Sequence, residues 1–70
     1  MEMIMNAAII NEVANILRNN FGRCAHSSFK QIGLRYVREA KSICNAKPDT
    51  AGDLLREASL LLEKARAFKA

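Results

Sequence analysis

No window of this chain approaches the roughly 18–20 consecutive apolar residues that a membrane-spanning helix needs. Nor does the start, "MEMIMNAAII", carry a secretion signal. An acid stands where the positive n-region belongs, and Asn6 and Asn11 bracket an apolar run of only four. A cytoplasmic location is the expectation. Cysteine is scarce, and its two copies, Cys24 and Cys44, flank what the periodicity makes one continuous helix. That helix holds them roughly 25–30 Å apart, whereas a disulfide needs Cα atoms within about 7 Å. Two free thiols suit a reducing compartment. Strand alternation, low-complexity segments and internal repeats are missing as well, which leaves an all-α reading.

Histidine occurs once, at His26. It lies in "GRCAHSSFK", where Cys24, His26, Ser27 and Ser28 invite an enzyme or metal reading. A working Cys–His pair needs a third group to orient the ring and an oxyanion site, and no acid is near in sequence. Structural zinc wants four ligands, against the two that Cys24 and His26 supply. The expectation is a non-enzyme with no cofactor and no metal, the segment being a bend between helices.

What is present is helical periodicity in a single domain spanning residues 1–70. Helix 1 is expected at about 3–21, with Met3, Ala7, Ile10, Ala14, Leu17 and Phe21 on one face and Ile9, Val13 and Ile16 widening it. Gly22 then closes it as a left-handed C′ residue. Helix 2 is expected at about 29–46, opened by a capping box of Ser28 and Gln31. Its stripe is Phe29, Ile32, Tyr36, Val37, Ala40, Ile43 and Cys44. Gly33 stands on the apolar side mid-helix at a cost of about 1 kcal/mol against alanine, which points to close approach of a neighbouring helix. Pro48 is expected to end helix 2. Asp49 or Thr50 then caps helix 3 at about 50–69. There Ala51, Ala58 and Ala65 fall at heptad position a, Leu54, Leu61 and Phe68 at d, and Leu55 and Leu62 at e. Connections of about five residues favour antiparallel neighbours. The fold expected is a small antiparallel three-helix bundle, up-down-up, open to completion by dimerisation. An elongated helical hairpin finished by a second subunit is the alternative.

Charge is unevenly spread. Residues 21–48 carry Arg23, Lys30, Arg35, Arg38, Lys41 and Lys47 against Glu39 alone, a net of +5 that outweighs the −1 of residues 1–20 and leaves the chain at +4. Lys30, Gln31, Arg35, Arg38 and Lys41 mark one side of helix 2, a candidate phosphate-neutralising face for nucleic acid. Asn11, Asn15 and Asn19 recur at intervals of four, although asparagine is a poor interior helix former. Their amides suit a neutral hydrogen-bonding surface. Large apolar residues also miss the expected core: Leu34, Leu60 and, if helical, Ile4. With half of all residues hydrophobic, a chain of this size whose core supplies only about 3–5 kcal/mol has apolar surface to spare. Interfaces concentrate their energy in a few such anchors. The leading expectation is a small interaction protein, an adaptor, chaperone or inhibitor, that binds a larger protein, self-associates as a homodimer or other homo-oligomer, or both. Leu34, Leu60, Asn11, Asn15 and Asn19 are its candidate contacts. Nucleic-acid binding through helix 2 is the alternative.

Overall fold

The computed structural model describes residues 6–68, which form three helices: α1 (Ala7–Gly22), α2 (Ser27–Ile43) and α3 (Pro48–Ala67). Each helix touches both others. Met3 and Ile4, and position 69 at the expected end of helix 3, lie outside the described residues. Among those residues, no helix is long and apolar enough to cross a membrane.

The core is apolar throughout and built largely from short side chains. Ile10, Ala14, Leu17 and Phe21 of α1 meet Val37 and Ala40 of α2, Cys44 just beyond it, and Ala51, Leu55, Ala58 and Leu62 of α3. Alanine at four of these positions lets the helices pack closely. Gly33 shows the closest approach: a Cβ there would overlap the ring of the fully buried Phe21. That is the physical reason for an otherwise unfavourable mid-helix glycine, as the sequence suggested.

Several expected details give way to other contacts. Ile16, expected in the core, is 60% exposed, and Ile9 is exposed too; the core needs only the narrower Ile10–Ala14–Leu17–Phe21 stripe. Ile32 of α2 is likewise turned out. Of the expected a, d and e positions in α3, a and e are the buried ones. Leu54 and Leu61 are half-buried and Phe68 is exposed, because a helix with two neighbours buries a face centred between their contact lines.

The helix ends also differ from expectation. Asn6 caps α1, its Oδ1 accepting from the Ile9 amide at 3.0 Å. Gly22 is the last helical residue rather than a left-handed C′, since no described residue has positive φ. The helix instead ends in a tight turn in which the Arg23 and Cys24 amides bond the carbonyls of Asn20 and Phe21 at 3.2 and 3.0 Å. The capping box of Ser28 and Gln31 is not used, because α2 begins one residue before Ser28, with His26 at the N-cap. Its ring packs on Phe29 and Phe68, with centroids 4.6 and 4.9 Å apart. Aromatic packing thus occupies the place a serine hydroxyl would have taken. Pro48 opens α3 at its first helical position instead of merely ending α2, which stops at Ile43. Its missing N–H is unneeded there and its φ is already helical. Lys47, not Asp49 or Thr50, is the N-cap; Asp49 lies in the first turn, where the dipole favours an acid.

The principal extents of the fold are 38 × 26 × 15 Å, and its larger recesses are open grooves between pairs of helices. Binding surfaces must be sought in the grooves between helices.

Candidate functional site

The Cys24–His26 segment forms the turn between α1 and α2. The Cys24 thiol donates to the backbone carbonyl of His26, at 3.7 Å, rather than to its ring. The imidazole belongs to the cluster with Phe29 and Phe68, and its Nδ1 is buried with no partner. Among the described residues, no three His, Cys, Asp or Glu side chains gather as metal ligands would. Cys44 is buried in the core, its thiol donating to the Lys41 carbonyl at 3.3 Å.

The groove between α1 and α2 is more distinctive. It is open, with a volume of about 650 Å³, and is lined by Arg18 and Gly22 of α1 and by Leu34, Val37, Arg38, Lys41 and Ser42 of α2. Val37 and the half-buried Leu34 make an apolar floor. Arg18, Arg38 and Lys41 supply three cations, and no acid lines the groove. Lys41 Nζ is held in place by donating to Asn15 Oδ1 at 2.9 Å. An ammonium fixed to a neutral amide keeps its full charge for another anion, which a carboxylate neighbour would have reduced.

Residues from both sequence-derived sets therefore meet in one place. Leu34 and, through Lys41, Asn15 come from the protein-contact set; Arg38 and Lys41 come from the basic face. Lys30, Gln31 and Arg35 do not line the groove: Lys30 is half-buried, and the other two are exposed on the outer side of α2. Asn11 is half-buried and Asn19 exposed, and neither lines it. Leu34 is not the free surface leucine expected, since it packs against the core while facing the groove. Arg18 was missed because helix 1, taken alone, places it on a polar side. Only the pairing of α1 with α2 brings it opposite Arg38.

Leu60 lies elsewhere, in a second groove of about 600 Å³ between α2 and α3. Ile32, Tyr36, Leu60 and Leu61 line it together with Glu57, Glu63 and Lys64. Leu60 is 49% exposed and Ile32 43%. On the remaining side, Asn20 ties α1 to α3, accepting from Arg66 Nη2 at 3.0 Å while its own amide donates to the Ile16 carbonyl at 2.9 Å.

No protein-family model, no curated protein and no solved structure matches the chain. The functional reading therefore rests on these surfaces.

Proposed function

We propose that this chain is a non-enzymatic interaction module that docks an acidic, amphipathic segment of a larger protein in the groove between α1 and α2. The observation that carries the reading is the pairing of an apolar floor, Leu34 and Val37, with an all-cationic lining, Arg18, Arg38 and Lys41. A helix laid in such a groove would set an apolar anchor on Leu34 and its carboxylates on the arginines, the arrangement of helix-in-groove recognition. Arginine can hold those carboxylates in bidentate fashion. Steering by the uncompensated positive field would speed the encounter. The module would act by occupying or presenting its partner, a role that needs no cofactor.

We also infer the up-down-up order of the three helices. It is supported by Phe21, late in α1, lying over Gly33 in the first half of α2, while Asn15 reaches Lys41 near the end of α2. Phe29, early in α2, meets Phe68 at the end of α3.

Nucleic acid is the second reading, favoured by Gln31 and Arg35, which extend the polar and basic face beyond the groove. The two readings separate on Leu34. A photo-reactive residue at position 42, which lines the same groove, used in extract of the native cell, should yield a cross-linked segment rich in Asp and Glu with a large apolar residue. Leu34→Ala should weaken capture about tenfold, and reversing Arg18 and Arg38 to Glu should abolish it. Adducts to nucleic acid that ignore Leu34 and fade steeply with salt would replace the first reading with the second. Absence of any adduct would overturn both.

A further inference from the structure

We propose that the groove between α2 and α3 is a self-association surface that receives a second copy of this chain about a two-fold axis. The proposal rests on the order of residues along the outer face of α3. Glu57, Leu60, Leu61 and Lys64 follow at spacings of three, one and three, so they share one side of the helix. All four line the groove, with Ile32 and Tyr36 of α2 completing its apolar part. Phe68 continues the same side of the chain past the end of α3 and is 56% exposed.

Two of the three charges lining this face, Glu57 and Lys64, are symmetric in position and opposite in sign. Glu57 stands three residues before Leu60, and Lys64 three residues after Leu61. Laying two α3 helices antiparallel about the midpoint of the leucine pair sets Leu60 on the partner's Leu61. It also sets Glu57 opposite the partner's Lys64, twice over. Glu63, the third charge, falls opposite Ala58 of the second copy in the same alignment and has no charged counterpart. Parallel alignment would instead oppose Glu57 to Glu57 and Lys64 to Lys64. A two-fold contact is self-complementary by construction, and this face satisfies that requirement where the other groove does not. The lining of the α1–α2 groove carries cations alone, so two copies meeting there would repel. The apolar residues offered are few for an interface of standard size, about 800 Å² per partner. The dimer should accordingly be of roughly micromolar or weaker affinity.

Sedimentation equilibrium on the whole chain tests this. The wild type should pass from monomer to dimer below about 1 mM. Glu57→Lys or Lys64→Glu alone brings like charges together and should weaken association about tenfold or more. The double exchange, E57K with K64E, should restore it, because the partners trade signs. Leu60→Asp should leave a monomer. These side chains are exposed, so circular dichroism should report unchanged helicity; if Leu60→Asp loses helix, the charge exchange still decides. Reversal of Arg18 and Arg38 should leave the dimer intact, which separates this surface from the α1–α2 groove. A wild type monomeric at about 1 mM would overturn the proposal. So would a dimer indifferent to the single reversals, or one that the double exchange fails to restore.

Discussion

At the scale of single residues, two positions set opposing forces against each other. Gly33→Ala gains about 1 kcal/mol of helix propensity, but its methyl meets the ring of the fully buried Phe21. Overpacking of that kind costs typically 1–3 kcal/mol, about as much or more. The expected outcome is a net loss of up to about 2 kcal/mol in urea denaturation, partly recovered when Phe21→Leu is added to the same chain. His26 is the reverse case. Its Nδ1 is buried without a partner while its ring packs against two phenylalanines that also touch each other. His26→Phe keeps the aromatic packing and removes the unsatisfied atom, so it should be neutral or stabilising by about 1 kcal/mol; thermal unfolding would show it. Gly33 could be read from the sequence as a point of close approach, because only packing justifies glycine on an apolar helix face. That Phe21 supplies the ring could not be read, since the pair depends on how two helices align.

At the scale of the helices, the three segments follow from their periodicity, while their ends were decided by neighbours. Asn6 is a local signal and it holds: Asn6→Ala should cost about 1 kcal/mol and speed hydrogen exchange in the first turn of α1, at Ile9 above all. Ser28 and Gln31 offered an equally local signal, and it failed. The start of α2 is fixed instead by His26 docking on Phe68, a residue at the far end of the chain. Pro48 is ambiguous in isolation, as proline both stops one helix and starts the next. In α3 the heptad offers leucine at both d and e beside the alanines at a, and the sequence alone does not choose between the two flanks. With two partners, Leu55 and Leu62 go inside. Leu61 is left half-buried on the flank, where the proposed second copy would meet it.

At the scale of the whole molecule, the candidate surfaces were legible only in part. Leu60 could be found because it stands opposite the face of Ala51, Ala58 and Ala65. The basic groove could not, because Arg18 and Arg38 belong to different helices and become neighbours only on folding. If two copies associate through α3, stability must depend on protein concentration, since only the folded chain presents the paired surface. The melting temperature should rise by up to roughly 3–5 °C per tenfold increase in concentration where the dimer predominates, and Leu60→Asp should flatten that dependence. Single-file alanine gives these helices smooth, nearly featureless flanks, along which one helix could slide past another by a turn of about 5.4 Å at little loss of contact. Phe21 seated over Gly33 is the notch that forbids it, for a shift by one turn would bring the bulk of Phe29 or Val37 under the ring instead. Filling that notch should therefore do more than lower a midpoint: the Gly33→Ala chain should lose its single packing, and its amide resonances should broaden or double while the helices themselves remain.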